Sequence, residues 1–172
     1  MAEEVRAPAQ QPAVGVLDVA GDNEALVARN GTGINTIADL RGKKVATAFA
    51  STAHYSLLTA LDKAGVTDAQ VINLAPDAIR GAWGGGQIDA TYIWEPTLSQ
   101  LGGTALTTSA QVAEQGAPTY DLEGARGDFV KNNPGFLKAW TAAQGWAALT
   151  TEIATARSVA GSTARAPPTV ET

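Results

Sequence analysis

The feature that most constrains the fold is an apolar segment that passes through small polar residues into an amphipathic segment. The apolar run lies at 44–48, and the amphipathic run at 57–64 ends at a glycine. This order predicts a strand, a turn and a helix, with Ser51 or Thr52 capping the helix. Because the first N–H groups of a helix are free and its dipole is positive there, the same turn suits an anion. Capping alone and anion binding are therefore two interpretations of this turn.

The same alternation runs along most of the chain. It predicts strands at 13–19, 24–29, 44–48, 71–74, 90–94, 105–108 and from 119, and helices at 36–40, 57–64, 77–83, after 96, at 128–134 and from 136 onward along a stripe of Phe136, Trp140, Ala143 and Ala147. Strands alternating with helices predict an α/β sandwich around a largely parallel sheet. Ligands of such sheets bind beyond the carboxyl ends of the strands. Three candidate segments lie at the ends of predicted strands: 51–55, 94–95 and Asp121.

Composition excludes several classes of function. The chain has 172 residues and a net charge of −5, with no basic cluster for nucleic acid. It has no cysteine and one histidine, so disulfides, thiol catalysis and a histidine-rich metal site are excluded, and no cofactor is predicted. No segment is long and apolar enough to predict a transmembrane span. The first residues are acidic where a signal peptide needs basic ones, so no export signal is expected in this sequence.

Several segments, in order and spacing, match one known family. They are residues 22–27, 37–46, 51–58, 71–74, 82–83, 87–96 and 116–121. Over roughly residues 13–150 the sequence resembles the taurine-type substrate-binding proteins of ABC importers, in the sulfonate and nitrate group. This resemblance implies a three-layer α/β fold of the type II periplasmic-binding-protein class, whose two lobes close on a ligand about a two-strand hinge.

The resemblance also implies a division of the chain, in which one lobe is complete and the other is represented by remnants. The expected parts are a disordered leader at 1–12, a first-lobe remnant with a hinge strand at 13–29, the second lobe at 30–115, a second hinge strand with first-lobe helices at 116–156, and a disordered tail at 157–172. The two hinge crossings are expected at 24–29 and 119–125. The opening βα units of the family have no counterpart, so we expect a truncated form. Its exposed apolar faces would favour a dimer.

The resemblance places seven residues at the ligand: Ser51, Thr52, His54, Tyr55, Trp94, Glu95 and Asp121. The first four are expected to hold an anionic headgroup, and Trp94 to pack against the ligand's carbon atoms. Asp121 matches the family position that pairs with an ammonium group, and Glu95 is a second candidate for that role. Each has a structural alternative: helix capping for the hydroxyls, packing for His54, the core for Trp94, and the first turn of a helix for Glu95.

The predicted function is capture of taurine or a related small sulfonate in an interlobe cleft, without chemistry, followed by docking on a membrane permease. By resemblance the location is periplasmic. Two alternatives remain open. One is an enzyme resembling those that make thiamine pyrimidine precursors, although the cysteine-rich motif of those enzymes is absent; a nucleophilic Ser51–His54 pair would lack a placed acid partner. The other is a sensory ligand-binding domain or a remnant that binds nothing.

Overall fold

The computed structural model describes residues 13–143. Contacts divide the chain into two compact units, 18–121 (the central unit) and 1–17 together with 122–172 (the flanking unit). The described part of the flanking unit comprises residues 13–17 and 122–143. The predicted leader at 1–12, the predicted tail at 157–172 and the part of the apolar stripe that reaches Ala147 lie outside the described residues. The predicted division into lobes stays a prediction.

The helices and strands follow the predicted alternation, except that the helix at Ser109–Glu114 was not predicted. The strands are β1 (Ala13–Val19), β2 (Glu24–Ala28), β3 (Lys44–Thr47), β4 (Gln70–Asn73), β5 (Ala90–Trp94), β6 (Thr104–Thr108) and β7 (Tyr120–Gly124). The helices are α1 (Thr52–Lys63), α2 (Pro76–Gly84), α3 (Thr97–Leu101), α4 (Ser109–Glu114), α5 (Gly127–Asn132) and α6 (Pro134–Ala143), with a 3₁₀ turn at Ile37–Leu40. The predicted α/β class is confirmed.

The central unit is built on a five-stranded sheet in the order β4-β3-β5-β2-β6. Strand β3 runs parallel to β4 and β5, whereas β2 runs antiparallel to both of its neighbours, β5 and β6. Four strands therefore run one way and β2 runs against them, which confirms the expectation of a largely parallel sheet, with one antiparallel strand.

Strand β2 occupies the segment where a hinge crossing was expected, 24–29, and that crossing stays a prediction. All five residues of β2 are buried, and the strand is paired on both sides inside the five-stranded sheet. A strand of apolar residues between two neighbours buries both of its faces, so it belongs in the middle of a sheet. The strand that pairs with β7 in a separate two-stranded sheet is β1.

Buried side chains lie on both faces of the five-stranded sheet. One cluster joins Leu57 of α1 to Leu26 and Tyr92 of the sheet, and the other joins Ile79 of α2 to Ile93. Leu26 and its neighbours in β2 divide between the two clusters because successive side chains of a strand point to opposite faces. The sheet is thus covered by helices on both sides, in three layers.

In the flanking unit, helices α5 and α6 carry aromatic side chains that contact one another. Phe129 and Phe136 meet edge to face at 5.6 Å between ring centroids, and Trp140 Nε1 donates to Glu123 Oε2 at 2.8 Å. Phe136 and Trp140 are exposed. Within residues 13–143, no helix combines the length and the apolarity that crossing a bilayer requires.

Candidate functional site

The site is built around the start of helix α1. Ala50 has a φ of 59°, and Ser51 follows in an extended conformation as the N-cap. Ser51 Oγ accepts the backbone N–H of His54 at 3.2 Å and donates its own proton to the carbonyl of Ala48 at 2.6 Å. The predicted cap is confirmed. Because a hydroxyl has one proton, Ser51 Oγ has none left to donate to an anion.

Thr52, the first residue of α1, is held by a residue that lies far away in sequence. Thr52 Oγ1 donates to Glu24 Oε2 at 2.6 Å, and Ser109 Oγ donates to Glu24 Oε1 at 2.7 Å. Glu24 opens β2 and is only 3% exposed. Both oxygens of this buried carboxylate therefore accept a hydrogen bond from a hydroxyl group, as a buried charge requires.

A cavity of about 590 Å³ lies against these residues. It is lined by Ala20, Asn23, Glu24, Ala50, Ser51, Thr52, Trp94, Glu95 and Asp121, all within the central unit. The structure thus brings together five of the seven residues that the sequence predicted: Ser51, Thr52, Trp94, Glu95 and Asp121. Both alternatives given for Trp94, the ligand site and the core, apply: it lines the cavity and also packs against the two clusters of the core.

The other two predicted residues, His54 and Tyr55, are not in the cavity lining. The His54 ring stacks on Phe49 at 4.3 Å between centroids, and its Nδ1 accepts the backbone N–H of Ala50 at 3.3 Å. Tyr55 is 53% exposed on α1. Burial lowers the pKa of His54, because desolvation disfavours the imidazolium. Ser51 meets His54 only through the backbone N–H, so the two side chains do not form a nucleophile and base pair.

Charge in the cavity wall is one-sided. Glu24, Glu95 and Asp121 supply three carboxylates, and among the described lining residues none is Lys or Arg. Within residues 13–143 no group of acidic or histidine side chains could hold a metal ion. Glu95 Oε2 also accepts the N–H of Ser99, so this carboxylate takes part in the first turn of α3 as well.

A backbone N–H at the start of α1 adds a hydrogen-bond donor beside the cavity. In the described part of the chain, the N–H of the lining residue Thr52 has no acceptor, since the cap on Ser51 serves only His54. The first N–H groups of a helix carry a partial positive charge and favour an anion. The cavity therefore combines a free backbone donor at Thr52 with carboxylates around it.

Four lining residues were not among the predicted site residues: Ala20, Asn23, Glu24 and Ala50. Asn23 Oδ1 accepts the N–H of Gly21, and its carbonyl accepts the N–H of Glu95, which ties this turn to the end of β5. One signal for Glu24 was available in the sequence. A glutamate that opens an otherwise apolar strand is a candidate for a buried, functional carboxylate.

Comparison with known proteins identifies the family. The description "NMT1/THI5 like" belongs to a protein family that matches residues 6–152. The chain belongs to this family. The taurine-binding periplasmic protein of Escherichia coli (strain K12) is 44% identical over 124 residues, which are 70% of this chain and 38% of that protein.

Solved structures show the same fold. The periplasmic aliphatic sulphonate binding protein SsuA from Escherichia coli matches with a TM-score of 0.67 and 28% identity, over 90% of this chain and 55% of that one. The desulfurization enzyme DSZB matches with a TM-score of 0.58 over 92% of this chain and 62% of that one, but at 16% identity this likeness shows the fold alone. The chain spans less than two thirds of each of these three relatives.

Proposed function

We propose that the chain is a solute-binding component of an ABC importer and that it binds taurine or a related small aminosulfonate. The names of the taurine-binding and sulphonate-binding relatives support the class of ligand. The cavity beside α1 supports the two-ended character of this ligand, because carboxylates and the free backbone N–H of Thr52 border the same space.

In this proposal the two ends of the ligand bind different groups. The sulfonate accepts a hydrogen bond from the backbone N–H of Thr52, which the cap on Ser51 leaves free. The ammonium group pairs with Asp121 and Glu95, and Trp94 packs against the carbon atoms between the two ends. Opposite charges at the ends of the ligand thus meet opposite charges in the wall.

One observation carries the proposal: three carboxylates line the cavity and no Lys or Arg joins them among the described lining residues. A plain anion such as sulfate or ethanesulfonate would approach this wall against repulsion and would find no cation. Taurine differs from ethanesulfonate by an ammonium group, which the carboxylates attract. We therefore expect the cavity to prefer taurine.

Thermal unfolding of the 172-residue chain with taurine, ethanesulfonate, sulfate, nitrate and glycine betaine tests the ligand. Taurine at about 100 times its Kd should stabilise the fold by roughly 2.7 kcal/mol and raise Tm by about 5–10 °C. Asp121→Asn should weaken taurine binding by about tenfold to a hundredfold, since it removes a charge-assisted hydrogen bond.

The matched control is Asp22→Asn, which removes the same charge from an exposed residue that does not line the cavity. It should leave the affinity for taurine within about twofold, because exposed charges are screened by solvent and salt. Equal losses in both variants would show a general effect of net charge, and no shift with taurine in the wild-type chain would reject the proposal.

Partners and location are part of the same proposal. The periplasm is the expected location, as the names of the relatives suggest, and the permease of an importer in the membrane is the partner that the family resemblance implies. Seven ligand residues and an interlobe cleft were expected from the sequence; the roles of His54 and Tyr55, and closure of a second lobe over the cavity, stay predictions. Dimerisation through exposed apolar side chains also stays a prediction, which sedimentation velocity would test.

A further inference from the structure

Glu24 is notable for its burial and for its hydrogen-bond partners, in addition to its place in the cavity wall. It is a carboxylate that is 3% exposed, and its described partners are hydroxyls and not a cation. A carboxylate can only accept hydrogen bonds, so both hydroxyls that contact it must donate. The directions of the surrounding hydrogen bonds are thereby fixed.

On the buried side of Glu24, these directions determine the donor in the hydrogen bond between Tyr92 and Ser109. Ser109 Oγ lies 2.9 Å from the hydroxyl of Tyr92, and either oxygen could be the donor by distance alone. Since the single proton of Ser109 is donated to Glu24 at 2.7 Å, Tyr92 must donate to Ser109. Ser109 and Tyr92 are both fully buried, so no water supplies an alternative partner.

On the cavity side of Glu24, these directions determine whether the hydroxyl of Thr52 can donate to a ligand. The proton of Thr52 Oγ1 is donated to Glu24 at 2.6 Å, so this oxygen can present only lone pairs to a bound molecule. Thr52 lines the cavity together with Glu95 and Asp121, whose carboxylates are also acceptors. The side chains around this part of the cavity therefore offer acceptors, which suit an ammonium group, and the donor that Thr52 offers to a sulfonate is its backbone N–H and not its hydroxyl.

We propose that Glu24 is a specificity-determining residue, which selects ligands that carry an ammonium group by fixing the hydroxyl of Thr52 as an acceptor toward the cavity. The selection rests on the proposed function, because it concerns the same cavity and the same class of aminosulfonate ligands. Asp121 and Glu95 attract a cation by their own charge. Glu24 adds a directional requirement through the hydroxyl that it holds.

Glu24→Gln is the substitution that reverses this direction with little change of shape. The new amide has one acceptor and one donor end. We expect its nitrogen to face Thr52: with the nitrogen at Ser109, the Ser109 hydroxyl would have to donate to the more distant Ser56 Oγ, at 3.5 Å, whereas the hydroxyl of Thr52 can donate to water in the cavity. Thr52 Oγ1 then accepts from the amide and donates into the cavity.

The test is calorimetric binding of taurine and of ethanesulfonate to the 172-residue chain and its variants. In Glu24→Gln the ratio of the taurine affinity to the ethanesulfonate affinity should fall by about tenfold or more. Ser109→Ala is the matched control for loss of stability, because it removes one bond to Glu24 and leaves Thr52 donating; its ratio should match the wild type.

Thr52→Val separates the effect of the hydroxyl from that of the lost charge. In the Thr52→Val background, Glu24→Gln should change the ratio by less than about twofold, because there is no hydroxyl to reverse. A fall of the same size in both backgrounds would show that the charge acts alone and would overturn the proposal. An unchanged ratio in the Glu24→Gln single variant would overturn it as well.

A readout without ligand distinguishes failure of this inference from failure of the proposed function. If the wild-type chain binds neither compound, the proposed function fails. Proton NMR of the unliganded chain still decides the hydrogen-bond directions through the slowly exchanging hydroxyl protons of Thr52 and Ser109. Glu24→Gln should abolish the Thr52 signal and retain that of Ser109; retention of both or loss of both would contradict the inference.

Discussion

Helices α1 and α4 begin in nearly the same way, yet only one of them borders the cavity. Each is preceded by a strand and an extended N-cap whose hydroxyl accepts the N–H three residues on, from His54 in α1 and from Gln111 in α4. The first residue of each helix, Thr52 or Ser109, donates its hydroxyl to the same carboxylate, Glu24.

The two helix starts differ in the backbone N–H that the side chain of the third helical residue accepts. Gln111 accepts the N–H of its own N-cap, Thr108, at 3.1 Å, which completes a capping box. In α1 the imidazole of His54 accepts the N–H of Ala50, one residue before the cap, at 3.3 Å. The comparison indicates that a cap alone does not make a site.

What distinguishes α1 is its neighbours. Trp94 and Glu95 at the end of β5, and Asp121 in β7, line the same cavity as its first turn. The corresponding start of α4 faces the buried hydroxyls of Tyr92 and Ser56. A candidate binding site thus arises where the free N–H groups of a helix meet polar side chains from other strands.

The largest effect should come from removing the side chain that anchors α1. Leu57 is fully buried in the core, whereas its neighbour Leu58 is 40% exposed. Leu57→Ala should lower the free energy of unfolding by about 2–5 kcal/mol through lost burial and a cavity. Leu58→Ala should cost about 1 kcal/mol or less. Urea unfolding measures both, and equal losses would contradict the packing described here.

The next effect concerns the two caps. Ser51→Ala and Thr108→Ala should each lower the free energy of unfolding by about 1 kcal/mol, because each removes the acceptor of one N–H at a helix start. Only Ser51→Ala should also weaken taurine binding, since α1 borders the cavity. If Thr108→Ala weakened binding as much, proximity to the cavity would not be what separates the two starts.

The smallest effect is a change in pH dependence. His54→Gln gives α1 the third residue that α4 has. Burial lowers the pKa of His54, so below its usual value of about 6.5 the unfolded chain binds a proton that the folded chain does not, and stability falls as the pH falls. His54 is the single histidine of the sequence.

His54→Gln should therefore remove the loss of stability between about pH 7 and pH 5.5 while the free energy of unfolding at pH 7.5 changes little. Urea unfolding of the wild type and the variant at several pH values measures the difference. A wild-type chain whose stability is constant over this range, or a variant that retains the full loss, would contradict the lowered pKa.

Local chemistry was enough to predict most of the described elements, although helix α4 was not among them. The alternation of apolar and polar residues predicted β5 at 90–94, where the structure has it, and the small polar residues before α1 predicted the cap at Ser51. Such features depend on residues within one turn or one strand, so the sequence displays them directly. The amphipathic run at 57–64 likewise predicted the helix, although α1 begins earlier, at Thr52.

Only the tertiary structure decided which side chains meet. Glu24 contacts Thr52 and Ser109 across 28 and 85 residues of sequence, and no local pattern contains such distances. The same holds for β2, whose antiparallel place between β5 and β6 is fixed by pairing with strands far along the chain. The sequence determined most of the elements and the kind of residue at their ends. Long-range packing alone brings the starts of α1 and α4 to one acceptor, Glu24, and this buried carboxylate then sets the direction of the hydrogen bonds at the cavity.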